Sequence, residues 1–157
     1  MPDPRLNLLA RTLEDAFGGR AWHGPTLFGS LRGLTEVDAA WRPAPDRHNA
    51  WELAVHAAYW KYRVLRHVAA DPPRAFSEVG SNFFARPAEG ARLGEDLDIL
   101  ADWHRQLVQA VRTFNPERLD EVAYDGYSFE ALIRGAAAHD VYHAGQIRLL
   151  RRLGGSI

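Results

Sequence analysis

The sequence predicts an all-α protein, a four-helix bundle. Four stretches place apolar residues at three- and four-residue steps, the spacing of one helix face, and no stretch reads as a strand. A length of 157 residues fits one domain, which we expect to span residues 1–157. Four amphipathic helices in one small domain must bury their apolar faces against one another, and a four-helix bundle is the result.

The first predicted helix runs from about Arg5 to Phe17, and the glycines at 18–19 end it. Residues 22–45 contain many Gly and Pro and are typical of a loop. A short helical piece is expected near residues 27–31, and a turn begins at 35–38.

The second predicted helix begins after Asn49 and reaches about Ala70. Asn49 is a favoured N-cap, and Glu52 three residues later completes a capping box. The Asp-Pro-Pro sequence at 71–73 ends the helix, because a residue before proline avoids the helical conformation. Residues 74–90 form a loop long enough to line or cover a site. Its aromatic residues are expected to be exposed: Phe76, Phe83 and Phe84.

The third and fourth predicted helices lie on either side of a second loop. The third spans about Arg92 to Phe114, and Asn115-Pro116 closes it. The loop at 122–127 contains the turn dipeptide Asp125-Gly126. The fourth helix runs from near Ser128 to about Leu153, where two glycines favour a helix end.

Composition excludes several classes of protein. A formal net charge of -1 gives no bulk attraction to nucleic acid or to an anionic membrane, and we expect neither partner. No run of about 18 apolar residues suits a membrane span, and the N-terminus lacks the order of a secretion signal. The chain has no Cys, which excludes disulfides, Cys-ligated zinc and a Cys nucleophile. We therefore expect a cytoplasmic protein whose metal ligands, if any, are His and carboxylate groups.

Two histidines four residues apart lie in the fourth predicted helix. His139 and His143 project from one helix face, which on a helical wheel they share with the apolar residues Leu132 and Ile147. Two adjacent buried imidazoles lose hydration and cannot both be protonated cheaply. A shared divalent ion removes both problems, because neutral imidazole is the commonest protein ligand for a transition metal. The alternative is a pair of core histidines bonded to carbonyls or carboxylates.

A third histidine, His56, lies in the second predicted helix at the border of its apolar face. Two ligands from one helix and one from another would hold an ion and leave coordination positions open, as a catalytic site requires. Alone, a histidine at such a border is more often structural or exposed. His104, beside the apolar stripe of the third helix, is the substitute if His56 points away. His48 precedes the second helix and either caps it or lies near a substrate.

Polar neighbours are candidates for orienting these histidines, because a metal-bound imidazole usually donates its second N–H to a carboxylate or carbonyl. Glu52 lies one turn before His56, Asp140 is close enough to serve His143, and Gln146 follows His143 by three residues. The alternative for each is an ordinary polar residue on a helix surface. Three aromatic residues are close enough in sequence to line a pocket: Tyr59, Trp60 and Tyr142.

Two parts of the chain resemble the DinB/YfiT-like family. The first is GLTEVDAAWRP at 33–43 with NAWELAVH at 49–56, and the second is SFEAL at 128–132 with HDVYHAGQI at 139–147. These stretches cover less than half of the chain, and the His-x-x-x-His-x-Gly-Gln ending is their most specific feature. The resemblance implies an up-down-down-up four-helix bundle, often a homodimer. It also implies a divalent metal ion, commonly nickel or zinc, whose ligands here are His56, His139 and His143.

The reaction implied by the resemblance is of two kinds. Some members look like transferases that use an external low-molecular-weight thiol, such as bacillithiol, mycothiol or glutathione, and others are grouped as metal-dependent hydrolases. Three neutral ligands leave the ion its full charge to lower the pKa of a bound thiol or water. The family, and not the residues, favours thiol-dependent S-transfer to a small-molecule substrate. Arg63 and Arg86 are candidates for holding an anionic group of the thiol.

A non-catalytic bundle is the other class of protein that the sequence allows. It would be a metal or small-ligand binder, or a stress-response protein that acts by dimerisation. The same three histidines would then serve affinity or structure. The sequence identifies no catalytic residue and no residue that binds an organic cofactor.

Overall fold

The structure, a computed structural model, describes residues 3–155 and is all-α apart from one small hairpin. Four helices are long: α1 (Pro4–Phe17), α4 (Ala50–Val68), α5 (Leu93–Arg112) and α6 (Phe129–Gly154). Two short helices precede α4, and a 3-10 turn follows α5: α2 (Leu27–Leu31), α3 (Glu36–Ala40) and Pro116–Arg118. The ends of the domain expected over residues 1–157, namely 1–2 and 156–157, lie outside the described residues.

Local sequence signals set the helix boundaries. The Asn49 side chain accepts a hydrogen bond from the Glu52 backbone N at 2.8 Å, and the Glu52 carboxylate accepts one from the Asn49 N at 3.4 Å. This is the predicted capping box. Ser128 caps α6 through the backbone N of Ala131, and Gly155 ends it with a left-handed φ of 77°. The predicted boundaries therefore differ from the observed ones by only one or two residues.

The expectation that no strand is present is wrong for residues 122–128. Strand β1 (Val122–Tyr124) pairs antiparallel with β2 (Tyr127–Ser128). The turn predicted at Asp125-Gly126 is confirmed, with φ values of 49° and 80°. Two left-handed residues make a turn whose twist matches that of the flanking strands, so the chain reverses tightly there and enters α6.

The long helices pack around a common core. Helices α4 and α1 each pack against both α5 and α6, while α2 lies on α6 and α3 on α4. Large apolar side chains of α1, α2, α5 and α6 are fully buried between the helices: Leu13, Leu27, Leu100, Leu107, Val111, Ile133 and Ile147. This packing brings α4 and α6, which carry the three predicted metal ligands, side by side. Within residues 3–155, no helix combines the length and apolar character needed to cross a bilayer.

The segment 69–92, between α4 and α5, has no helix or strand, as predicted for most of its length. Its aromatic residues are not all exposed, however. Phe84 is buried, and Phe76 and Phe83 are half-buried. The reason is that these rings pack against Tyr59 of α4. The centroid of the Tyr59 ring lies 5.4 Å from that of Phe76 and 5.6 Å from that of Phe84. The segment therefore lies against α4.

Candidate metal centre

Three imidazoles meet where α4 and α6 pack together. His56 comes from α4, and His139 and His143 lie one turn apart on α6. The Nε2 atom of His139 is 3.1 Å from Nε2 of His56 and 3.0 Å from Nε2 of His143. One nitrogen from each ring falls within 4.8 Å of the other two. The three histidines singled out in the sequence are thus brought to a common point.

Protein oxygens hold the outer nitrogens of two of these rings. His56 Nδ1 donates to the backbone carbonyl of Asn82 at 2.8 Å, and His143 Nδ1 donates to Oε1 of Gln146 at 2.6 Å. The amide of Gln146 in turn donates to the Tyr142 hydroxyl at 3.3 Å, which fixes its orientation. A neutral imidazole carries only one N–H. Both rings therefore direct an unprotonated Nε2 towards His139.

The arrangement fits a divalent transition-metal ion. The Nε2 lone pairs of His56 and His143 both face His139 Nε2, which has at most one hydrogen to donate, so without a cation one of these lone pairs lacks a donor. Two nitrogens that bind one ion at about 2.1 Å lie about 3.0–3.4 Å apart, and two of the three separations, 3.0 and 3.1 Å, agree, while all three nitrogens lie within 4.8 Å of one another. Imidazole donors suit zinc, nickel, copper and iron better than magnesium or calcium.

Burial keeps the three imidazoles neutral. It lowers the pKa of His56 to about 4 and the pKa of His139 to about 3, and the proximity of the other histidines adds to both shifts. Burial also lowers the pKa of His143, partly opposed by its hydrogen bond to Gln146. At neutral pH all three rings are thus in the unprotonated form that binds metal.

A cavity of about 540 Å³ lies over the cluster. All three histidines line it, together with apolar residues such as Leu53 and Leu150. Among the described lining residues, only Arg47 is permanently charged, and it is exposed. No Asp or Glu of residues 3–155 lines this cavity.

The segment 69–92 supplies one wall of the site. The Phe83 ring lies between two imidazoles, 4.0 Å from the centroid of His56 and 3.7 Å from that of His48. The side-chain oxygen of Asn82 accepts a hydrogen bond from Trp60 Nε1 at 3.0 Å, while its carbonyl binds His56. Asn82 adopts a left-handed φ of 69°, which Asn tolerates better than most residues.

Two of the three polar neighbours suggested by the sequence have other partners. Glu52 accepts from the Arg42 guanidinium at 2.9 Å and contacts His48 Nδ1 at 2.9 Å, because it closes the N-terminus of α4 rather than facing His56. Asp140 lies 2.5 Å from Lys61 Nζ in a buried ion pair and does not serve His143. Gln146 does hold His143.

Other sequence candidates also lie away from the cluster. His104 stacks on Phe17 at 3.8 Å, with its Nδ1 buried and without a hydrogen-bond partner, so it does not replace His56. Arg86 is not available to an anion, because it is buried against Asp96 and Glu78 at 2.7 and 3.0 Å. Arg63 donates a hydrogen bond to the Tyr59 hydroxyl at 3.0 Å and does not line the cavity over the cluster. Of the three aromatic candidates, Tyr142 lines the cavity over the cluster, and Tyr59 and Trp60 do not.

Sequence reasoning missed the Asn82 carbonyl and the Lys61 ammonium. A backbone carbonyl leaves no signal in side-chain chemistry, so Asn82 could not have been found. Lys61, the sole lysine of the chain, does leave a signal in the sequence. It lies four residues after Ala57 and four residues before Leu65, on the helix face that these two buried residues share. A charged residue at an inward helical position requires a partner, which is Asp140.

The profile of the DinB superfamily matches residues 21–147, about four fifths of the chain. The matched region contains all three histidines of the cluster. Neither a curated protein nor a solved structure gives a significant match.

Proposed function

The chain belongs to the DinB superfamily, and on that premise we propose that it is a metal-dependent transferase for an external low-molecular-weight thiol. His56, His139 and His143 are the ligands of one divalent ion, nickel or zinc. The observation that carries this proposal is the convergence of three Nε2 atoms, two of which are held unprotonated by Asn82 and Gln146.

The fold proposed with this function is a single four-helix bundle of up-down-down-up order over residues 1–157. Its support is the packing of α1 and α4 on both α5 and α6. In such a bundle, ligands on facing helices project into the interior, where metal sites are commonly built.

An ion bound here supplies a Lewis acid that lowers the pKa of a thiol or of water. The residues of the chain hold and orient the site. Asn82 and Gln146 keep two lone pairs directed at its centre. Apolar side chains such as Leu53 and Leu150 lower the local dielectric constant, which strengthens electrostatic interactions there.

Two features favour a thiol over water as the nucleophile. Metal-dependent hydrolases commonly use a carboxylate as general base, and no carboxylate of residues 3–155 lines the cavity. Arg47 does line it, and guanidinium groups bind carboxylates such as those of glutathione in a bidentate manner. Because the chain has no Cys, the thiol comes from solution.

A homodimer and a cytoplasmic location complete the proposal. Helix α6 exposes apolar side chains at Val141, Leu149 and Leu153, together with Gly145, where a second subunit can approach closely. The cytoplasm is where reduced low-molecular-weight thiols are abundant. Sedimentation of the purified protein at several concentrations tests the dimer, and a constant monomer mass would contradict it.

Metal content tests the ligand set. Untagged protein is loaded with zinc or nickel, desalted and analysed for metal per chain. We expect one ion per chain in the wild type, less than about a tenth of that in His139→Ala, and an unchanged value in His23→Ala, whose histidine is exposed. Equal metal content in both variants would contradict the proposed ligands.

Turnover tests the chemistry. Metal-loaded protein is assayed with glutathione, cysteine or bacillithiol as the thiol and with 1-chloro-2,4-dinitrobenzene, where the sulfur displaces chloride and the thiol proton is released. We expect metal-dependent product formation with at least one thiol. Absence of turnover with all three, in protein that retains its ion, would favour a non-catalytic metal or ligand binder.

A further inference from the structure

A second cavity, of about 420 Å³, adjoins the histidine cluster. It lies between α4, α6 and the β1–β2 hairpin. Its size is typical of a site for a small molecule. Among the described residues, His139 alone lines both this cavity and the cavity over the cluster.

The second cavity has largely apolar walls with several aromatic rings, from Trp60, Tyr124 and Tyr127. It owes its space to small residues on α6, Ala131 and Gly135. A Cβ atom added to Gly135 would meet no atom within 4 Å. Flat apolar ligands gain most from walls of this kind, because they bury large areas against aromatic rings.

Two charged groups that line the second cavity neutralise each other. The Lys61 ammonium lies 2.5 Å from the Asp140 carboxylate, and both side chains are buried. A third charged residue, Asp125, is on the exposed hairpin turn. The described lining residues therefore leave no buried charge for an ionic ligand to pair with, so the fitting ligand is neutral.

His139 differs from the other two histidines at its outer nitrogen. Nδ1 of His56 and Nδ1 of His143 have protein acceptors, whereas within residues 3–155 Nδ1 of His139 has none. A metal-bound imidazole carries its proton on the outer nitrogen, and that N–H normally finds an acceptor. Because His139 lines the second cavity, a ligand there can provide the acceptor that residues 3–155 do not.

We propose that the second cavity binds the electrophilic substrate, a neutral aromatic carbonyl compound whose oxygen accepts a hydrogen bond from His139 Nδ1. This assignment rests on the proposed function, in which His139 Nε2 binds the ion and leaves the proton on Nδ1. The external thiol then occupies the cavity over the cluster, so the two reactants approach the centre from separate cavities.

Binding of two isosteric probes tests this proposal. Acetophenone carries the carbonyl, and α-methylstyrene has the same shape with a CH₂ group in place of the oxygen. Saturation-transfer NMR titrations are run on zinc-loaded and on chelator-treated protein, and the metal content of each sample is measured. We expect a dissociation constant for acetophenone on the order of 1 mM or below. For zinc-loaded protein, α-methylstyrene is expected to bind about three- to tenfold more weakly.

Cavity-filling variants locate the site. Gly135→Leu should weaken acetophenone binding at least tenfold, whereas Gly94→Leu, the same change on α5 at a position that lines neither cavity, should leave it within about twofold. Ala131→Leu is a second filling variant, and circular dichroism checks that each variant is folded.

Three results would overturn the inference: no acetophenone binding, equal binding of the two probes to zinc-loaded protein, or unchanged binding in both folded filling variants. Zinc content distinguishes this failure from that of the proposed function. Wild-type protein that holds zinc and does not bind acetophenone contradicts only the second cavity. Protein that binds acetophenone and holds no zinc contradicts the metal site.

Discussion

Asn82 and Gln146 orient two of the candidate ligands without facing the centre themselves. Each offers an oxygen to the outer nitrogen of one imidazole, at 2.8 Å for His56 and 2.6 Å for His143. Such bonds fix the tautomer and the ring plane, so that the lone pair is directed at the ion before it binds. If the proposed ion binds, its affinity at the scale of single residues should therefore depend on these two oxygens as well as on the three rings.

Replacing Gln146 with leucine should lower zinc affinity about tenfold or more, because His143 then loses the acceptor of its Nδ1 proton. Competition with a zinc-binding dye measures the change. Gln109→Leu, at an exposed position on α5, serves as the control and should bind zinc like the wild type. An unaltered affinity in Gln146→Leu would show that the hydrogen bond does not orient the ligand.

The segment 69–92 acts as a structural element although it has no regular secondary structure. Arg86 fixes this segment by two contacts. Its guanidinium pairs with Asp96 of α5 at 2.7 Å, and its backbone carbonyl accepts a hydrogen bond from the Asn49 side chain at 2.8 Å. Asn82 and Phe83, which contact His56, lie on the same segment. The position of one wall of the site therefore depends on a buried ion pair at some distance from it.

Arg86→Leu should lower the free energy of unfolding by about 3–5 kcal/mol, because it leaves the buried Asp96 carboxylate without its cation. It should also weaken zinc binding, since Asn82 loses its support. Urea unfolding measures the first effect. The double variant with Asp96→Leu should recover part of the stability, and Arg105→Leu, on the exposed face of α5, should change it by no more than about 0.5 kcal/mol. A loss of similar size in Arg105→Leu would contradict the special role of Arg86.

The elements that the sequence predicts well are those that local chemistry defines. Asn49 with Glu52 and Ser128 mark helix starts, and the glycines at 154–155 mark an end, because capping acts over three or four residues. The sequence predicts the turn at Asp125-Gly126 but not the strands that flank it, since two- and three-residue strands show too little alternation. The path of the segment 69–92 depends on contacts with α4 and α5 that are remote in sequence, and no local pattern encodes it.

Within the site, too, contacts between residues close in sequence are predicted and contacts between remote residues are not. The four-residue spacing of His139 and His143 fixes their relative position on α6, so their proximity follows from the sequence. The approach of His56 depends on how α4 packs on α6, and spacing alone leaves it open. Glu52 pairs with Arg42, and Asp140 pairs with Lys61. These side chains meet only in the folded chain, so spacing in the sequence does not predict the pairs.

Buried neutral histidines make the whole molecule sensitive to acid. Burial lowers the pKa of His104 to about 3, with a further contribution from the Lys61 charge, and the pKa of His56 to about 4. In the unfolded chain both titrate near the ordinary value of about 6.5. Between pH 6.5 and about 4 the unfolded state therefore binds more protons than the folded state, and the free energy of unfolding decreases as the pH falls.

For metal-free protein, we expect full stability above about pH 6.5 and a loss of up to about 1.4 kcal/mol per pH unit for each such histidine below it. His104→Leu should reduce this slope and leave zinc content unchanged, because His104 lies outside the cluster. His23→Leu, in an exposed loop, should keep the wild-type slope. Urea unfolding at pH 7, 6 and 5 measures all three proteins, and identical slopes in wild type and His104→Leu would contradict the assignment.

X-ray absorption at the metal edge of zinc-loaded protein tests most directly whether three imidazoles from two helices bind a single ion. We expect a first shell with three imidazole nitrogens at about 2.0–2.1 Å and one zinc per chain, and a reduced imidazole count in His56→Ala. A first shell with one imidazole or none, or an unchanged count in His56→Ala, would contradict the proposed metal centre.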